Sequence, residues 1–437
     1  MLLIYSDIDS SRIRYILETV FTDWLKISYS VTNDLNYFKA AKTFKLSYCL
    51  SRVADEFFIR RNDLLAQSNV TIQKVEVVDS TTLILLFPTH GSDLPFDLFA
   101  SIFYMISRYE EYLPYTPDKN GRFSASSSLA YKYKFLELPV VNLWIRLFSN
   151  KLKDTFPQIL PDPGEFNALL TYDIDVAYAF RGRGFIRNSV SILKDIVTFK
   201  FQRLVQRAKV AKGVIFDPWD TYTHILSLTA HAGLDAIFFF LVGDYSVKNK
   251  NLLYSSSEMR DLINSIAGKY EIGLHPSYSS SQNPGLIKEE KNRLETISGK
   301  RITKSRQHYL KFTLPSTYRY LIDAGITEDY SMGFADAPGF RAGCCLPFYF
   351  YDLERETRTE LKVFPVTLME GNFQKYQKLT PAEAIPRILN LINQVKEVKG
   401  TFISIWHNHT VSDHGIYMGW KNVHDDMVNA LSSNNQL

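Results

Sequence analysis

The sequence predicts an α/β protein: a mainly parallel sheet or barrel, preceded by a smaller α/β region. Three observations lead there. Beyond residue 166, short apolar runs alternate with stretches of helical periodicity, the pattern of parallel strands joined by helices. Several of those runs end in an acid or a histidine. The stretch Phe156 to Phe166 (FPQILPDPGEF) carries three prolines and a glycine and reads as a linker. Residues 1–160 and 165–430 are therefore the expected domains.

In the first part, Leu2 to Tyr5 (LLIY) and Ser80 to Phe87 (STTLILLF) are expected strands. Asp97 to Tyr112 is an expected helix, with Phe99, Phe103 and Ile106 at helical spacing and Asp97 as its N-cap. In the second part the expected strands are Ala168 to Tyr172, Ala236 to Val242 (AIFFFLV), Tyr270 to Leu274, Val363 to Val366 and Thr401 to Trp406. Helices are expected over Trp219 to Ala232 and Ser257 to Lys269. A further helix begins near Thr380, where Pro381 suits the first turn and Glu383 completes a capping box. Polar groups at the C-terminal ends of parallel strands converge on one face.

Composition excludes some classes of function. The 437 residues are 46% hydrophobic and 22% charged, as in an ordinary globular protein, and the net charge is only +4. No basic run of the kind that tracks phosphates stands out, so nucleic acid is not an expected partner. Cys49, Cys344 and Cys345 offer no C-x-x-C spacing and suit a reducing compartment. The N-terminus lacks the pattern of a signal peptide, and no apolar run approaches the ~20 residues of a membrane span. A cytoplasmic location is the expectation.

The candidate chemistry lies after residue 166. Asp173 and Asp175, in TYDID, sit two apart at a strand end, so both carboxylates face one side. One can bind a metal while the other takes a proton from water. The bland alternative is a pair of exposed strand-end acids, and Asp7 and Asp9 in SDID show how common the pattern is. His275, in EIGLHPS, follows a strand and precedes Pro276; it is a metal ligand or a structural histidine. Arg306-Gln307-His308-Tyr309 offers a cation, an imidazole and a phenol, or simply a surface turn. His407 and His409 end TFISIW and project to one side. His414 and His424 are expected in solvent, and His90, His224 and His231 have no context that singles them out. Arg108, Glu110 and Glu111 suit a salt-bridged helix face.

Taken in order, these segments resemble the motifs of the polysaccharide deacetylase superfamily, the NodB-like carbohydrate esterases, over about 165–415. TYDID resembles the first motif, AIFFFLVGD the strand that follows, EIGLHPSYSS the second motif, RQHY the third and FISIWH the last. The resemblance implies a distorted, incomplete (β/α) barrel and a metal-dependent hydrolase that removes acetyl groups from an N- or O-acetylated sugar or polysaccharide intermediate. By position it makes Asp173 the general base, Asp175 and His275 metal ligands, His407 the general acid and Arg306 the residue that orients Asp173. The family's usual second histidine falls at Ser279 here, and His308 is the expected replacement. The metal is expected to be zinc or a similar divalent ion.

The same resemblance makes Tyr309, Trp406, Asp329 and Arg341 candidates for contacting sugar, the last two in a loop, Glu328 to Gly343, that is otherwise a turn held by glycines. The part before residue 160 resembles the accessory region of a bacterial subgroup and receives no chemistry. Two other functions stay open. One is a non-catalytic carbohydrate-binding relative, suggested by Ser279. The other is a D-x-D phosphatase, for which DIDV fits but a later acidic pair is missing.

Overall fold

The computed structural model describes residues 1–79, 83–162 and 164–432. Buried apolar runs set the first sheet. β1 (Leu2–Ser6), β2 (Tyr29–Thr32), β3 (Phe44–Cys49) and β4 (Phe57–Arg60) pair in parallel in the order β2-β1-β3-β4. β5 (Val77–Asp79) and β6 (Ile84–Leu86) form a separate antiparallel pair. The strand expected over Ser80 to Phe87 is thus only three residues long among those described; residues 80–82 lie outside them, as does Pro163 of the expected linker.

The helix expected from Asp97 starts as predicted and stops early. The Asp97 carboxylate accepts a hydrogen bond from the Ala100 amide at 2.9 Å, capping Leu98–Ile106. Arg108 then adopts a left-handed φ of 54°, and Tyr109–Tyr112 make a single 3-10 turn. The buried Arg108 guanidinium explains the break. It pairs with Glu110 at 2.7 Å and Glu111 at 2.8 Å, so these charges form an internal network and not a solvated helix face.

The second sheet contains β7 (Asn167–Ile174), β8 (Asp235–Phe240), β9 (Glu271–Leu274), β10 (Lys304–Ser305), β11 (Glu328–Asp329), β12 (Phe348–Asp352), β13 (Thr357–Val363), β14 (Leu368–Met369) and β15 (Thr401–His407). The order is β12-β13-β11-β10-β9-β8-β7-β15-β14, and every pair is parallel except β12–β13. The last long helix, Pro381–Glu397, begins with the expected capping box between Thr380 and Glu383. The strand expected over Val363 to Val366 is displaced: β13 ends at Val363. Pro365 has no amide hydrogen to give a ladder, so the chain leaves the regular sheet there. It nevertheless bridges both sides. The Phe364 and Val366 amides donate to the Asp329 and Met332 carbonyls, and the Thr367 amide donates to Ile403. This irregular seam joins the β11 side to the β15 side, giving a distorted barrel.

Alternation along the strands separates two cores. Ile237, Phe239, Ile403 and Ile405 point inward with Val366 and Tyr330, whereas Leu170, Tyr172, Phe238, Phe240, Phe402 and Trp406 face the larger core outside. That outer core runs on without interruption into the first sheet. Polar bonds reinforce the junction: the Tyr15 hydroxyl donates to Tyr349 O at 2.7 Å, Trp24 Nε1 donates to Pro347 O at 2.9 Å, and Arg12 pairs with Glu356 at 2.5 Å.

Inside the barrel, Gly273 of β9 leaves room for the Phe239 ring. A Cβ on Gly273 would meet that ring at 2.5 Å and the Lys304 carbonyl at 3.0 Å. Gly273→Ala is therefore expected to lower stability by about 1–3 kcal/mol, read as a shifted urea midpoint. An unchanged midpoint would mean the ring moves aside at no cost.

Candidate metal centre

TYDID provides two inward acids because β7 alternates. Thr171 and Asp173 face the barrel interior, and Ile174 faces outward. Arg306, fully buried, donates from Nη1 to Thr171 Oγ1 at 2.6 Å and to Asp173 Oδ1 at 3.0 Å, and from Nε to Tyr330 O at 2.9 Å. Its guanidinium lies 4.5 Å from the Phe239 ring centre. Asp173 is thus held by a charge-assisted bond with little water present. The similar pair near the N-terminus meets different neighbours. Asp7 pairs with Arg61 and Asp9 with the exposed Arg14, as ordinary surface ion pairs.

Asp175 follows β7 and meets three imidazoles. His275 donates from Nδ1 to the Arg306 carbonyl at 2.5 Å. A carbonyl only accepts, so Nδ1 carries the hydrogen and Nε2 presents a lone pair. That Nε2 is 3.1 Å from Asp175 Oδ1 and 3.8 Å from Asp173 Oδ2, and both Nε2 and Asp175 Oδ1 are buried without a hydrogen-bond partner of good geometry. Two facing lone pairs in a dry site call for a positive charge between them, a proton or a metal ion. His308 adds a third candidate atom. Its Nδ1 donates to Asn249 Oδ1 at 3.3 Å, and its Nε2 lies 3.4 Å from Asp175 Oδ2. Candidate ligand atoms of Asp175, His275 and His308 all lie within 4.8 Å of one another. Ser279 is exposed in the 3-10 turn Tyr278–Ser281.

His407 closes the group. Its Nδ1 donates to Glu370 Oε1 at 2.5 Å and its Nε2 is 3.5 Å from Asp175 Oδ2. Burial alone would weaken its hold on a proton, but Glu370 first and Asp175 next overcome this and raise its pKa well above that of free imidazole. Burial likewise opposes the charge on Asp175, yet His308, His275 and His407 bring its pKa well below the usual carboxylate value. His275 is raised because Asp173 and Asp175 outweigh its burial; His308 is lowered because burial prevails. His409 also borders the cleft, and burial with the nearby His407 drives its pKa down to about 3.

Three predicted sugar contacts are not in the cleft. Trp406 is fully buried on the outer face of β15, against His424 and Met427. Asp329 is fully buried and accepts from Ser305 Oγ, Ser331 Oγ and the Ser331 amide, each at 2.9 Å. Arg341 pairs with Glu111 at 2.5 Å and stacks 4.2 Å from the Phe312 ring centre. Of the two readings of the loop Glu328 to Gly343, sugar contact by Asp329 and Arg341 does not fit, because these charges have internal partners that sequence does not reveal. His424, expected in solvent, is completely buried. It forms a second cluster with His224 and Asp425, but both its nitrogens are engaged, with Asp425 and the Tyr172 hydroxyl at 3.0 Å each. His414 is exposed as expected, and Tyr309 does line the cleft.

Sequence reasoning missed Glu370, Asn249 and Arg122. Glu370 does carry a signal, an acid directly after the apolar pair Leu368-Met369 in the barrel part. Arg122 comes from the part given no chemistry. It donates from Nη1 to Tyr309 O at 2.7 Å and from Nη2 to the Tyr376 hydroxyl at 3.0 Å, while pairing with Asp118 at 2.6 Å. The Tyr309 backbone is left-handed, with φ of 64°. Arg122 therefore braces the turn that presents His308.

Residues 2–157 match the model of a family of unknown function, DUF7033. No curated protein matches the chain. Over about 60% of its length the chain is similar in structure to polysaccharide deacetylases. An inferred polysaccharide deacetylase from Mycobacterium smegmatis is 16% identical, with 62% of this chain and 86% of that one covered and a TM-score of 0.42. The polysaccharide deacetylase Bc1974 from Bacillus cereus is 13% identical, with 62% and 88% covered and a TM-score of 0.31. An inferred polysaccharide deacetylase from Pseudomonas aeruginosa PAO1 is 12% identical, with 60% and 83% covered and a TM-score of 0.36. These likenesses are distant.

Arg341→Ala separates its two roles. Removing a buried partner of Glu111 is expected to cost about 3–5 kcal/mol, seen in urea denaturation. Full stability with a raised KM would return Arg341 to the substrate.

Proposed function

We propose that this protein is a metal-dependent hydrolase that removes acetyl groups from an N- or O-acetylated sugar or polysaccharide intermediate. The observation that carries the proposal is the unpartnered pair His275 Nε2 and Asp175 Oδ1, 3.1 Å apart, with His308 alongside. Two imidazoles and a carboxylate are a donor set that suits zinc or a neighbouring divalent ion, and they fit such an ion without displacing any other bond. When bound, that ion supplies Lewis-acid polarisation of an acyl oxygen and makes water more acidic.

The chain's own groups do the rest. Asp173, oriented by Arg306, accepts the proton of the attacking water through the oxygen not engaged by the guanidinium. His407 presents Nε2 to the cleft and gives its proton to the departing amine or alcohol. Glu370 fixes the ring through Nδ1 and keeps the donor protonated. Tyr309 offers a ring for stacking against the sugar at the cleft wall. The amide and the ester remain equivalent for this arrangement, since either leaving group needs one proton.

Metal content and acetate release from acetylated sugar oligomers test the assignment together. Wild-type protein is expected to retain one divalent ion through dialysis and to release acetate. His275→Ala and His308→Ala should weaken metal binding by more than the roughly 10- to 100-fold lost with an outer partner. Asp173→Asn should keep the metal and lose at least about 100-fold in kcat. Sugar binding with no acetate release in metal-loaded wild type would favour a non-catalytic binder.

The pH profile follows from the raised pKa of His407. The donor form is complete at low pH and is lost as pH rises through that elevated value, which sets the alkaline limb. Glu370 is the largest raising influence, so Glu370→Gln should move this limb to lower pH. An unmoved limb would remove His407 as the group it reports.

A further inference from the structure

Between β7 and β8 the chain inserts a helical hairpin, Phe185–Val197 and Phe201–Ala211, whose pattern is inverted. Its inner side is mainly polar, with Val210 packed on Ala179 and Phe180. Asp195 is buried there between Arg207 at 3.0 Å and Arg203 at 3.6 Å. Its outer side is apolar. Phe185, Ile192, Leu193, Ile196 and Val197 share one broad exposed arc of the first helix, and Phe201 and Val205 lie one turn apart on the second. Phe185 is 86% exposed, Leu193 62%, Phe199 79% and Phe216 89%. Single exposed apolar residues need no explanation, but a contiguous set does.

Charge identifies what covers this face. Residues 181–216 hold nine lysines and arginines against one acid, Asp195, although the whole chain is only +4. Lys194, Lys200, Lys209 and Lys212 are exposed around the apolar arc. A second copy of the chain would bring like charge against like charge. Nucleic acid would answer the charge and leave the phenylalanines in water. Apolar residues at the centre with lysines around them match an anionic lipid surface, with the side chains in the acyl boundary and the ammonium groups at the headgroups. Among the described residues no helix is long and apolar enough to cross a membrane, so the hairpin lies on the surface.

We propose that this hairpin docks the protein onto an anionic lipid bilayer. Docking also sets the approach to the metal centre. A groove between the hairpin and the turn Gly415–Tyr417 is bordered by Phe201, Lys209, Ile215 and Ile416, and Tyr417 lines both this groove and the catalytic cleft. Ile416 is itself exposed, extending the apolar face toward the cleft. The cleft mouth therefore opens beside the bilayer surface.

Full-length protein is sedimented with vesicles of phosphatidylcholine alone or mixed with phosphatidylglycerol, at low and at physiological salt. Binding to the mixed vesicles is expected, weaker at higher salt and at least about tenfold weaker without phosphatidylglycerol. Leu193→Glu with Val197→Glu, and separately Lys194, Lys200, Lys209 and Lys212→Glu, should each reduce binding at least about tenfold. Thermal unfolding and acetate release from soluble oligomers should stay unchanged, since these side chains are exposed and none of them lines the cleft. The vesicle measurement does not depend on hydrolysis, so it stands or falls apart from the enzymatic assignment. Failure to sediment with mixed vesicles at low salt overturns the proposal, as does equal binding by both variants. A wild-type dimer that the Leu193 and Val197 substitutions disperse, without vesicle binding, would assign the face to a second copy.

Discussion

The buried guanidinium of Arg306 ties the site to the barrel. Its side chain bonds Thr171 and Asp173 from β7 and the Tyr330 carbonyl beyond β11, its amide donates to Leu274 of β9, and its carbonyl accepts from His275. One residue thereby sets the direction of a carboxylate and the tautomer of an imidazole. A dry cation needs all these partners, because an unpaired charge there would be strongly destabilising. The requirement works in both directions: the strands must keep their register for Arg306 to keep the partners of Nε and Nη1, and Arg306 fixes the two groups that face the candidate metal position.

The remaining candidate groups are held less rigidly in sequence terms, though not in space. His308 sits on an irregular turn with a left-handed Tyr309, and that turn is braced by Arg122 from the part before residue 160. Lys248 adds a second link, donating to Asn120 at 3.3 Å and lying 5.4 Å from the Tyr309 ring centre. Two residues of the first part, Arg122 and Asn120, therefore contact the turn and loop that border the cleft. Neither belongs to the Asp175, His275 and His308 cluster.

Legibility in the sequence followed partner geometry. Strands with continuous apolar runs, such as TFISIW and AIFFFLV, were readable because burial on both faces leaves a local pattern. Asp173, His275 and His407 were readable because each ends or follows an apolar strand, whereas Arg306, after the polar run KRITKS, was readable only through the RQHY motif. What sequence could not show was which charges find partners inside. TYDID and SDID share a spacing, and only the structure separates them, through Arg306 in one case and Arg61 and Arg14 in the other. Asp329 and Arg341 were misread for the same reason, since serines and Glu111 satisfy them in the interior. Glu370 follows a two-residue strand, too short to register as an element. The strand near Val363 was misplaced because apolar residues on both sides of Pro365 outweighed the proline's missing donor. The basic segment escaped a reading of net charge because the nine cations of residues 181–216 are dispersed among apolar residues.

The seam at Phe364 to Thr367 has an evolutionary consequence. A parallel ladder resists insertion, because a one-residue slip turns every inward side chain outward. The seam is held by a few backbone bonds around a proline, and the chain that leaves it carries Glu370, Lys375 and Tyr376 along the cleft. Changes of length beyond the seam leave the register of β7 to β11 intact. Descendants of this barrel can therefore reshape one wall of the cleft, and with it what the cleft admits, while inheriting Asp173 and its clamp unaltered.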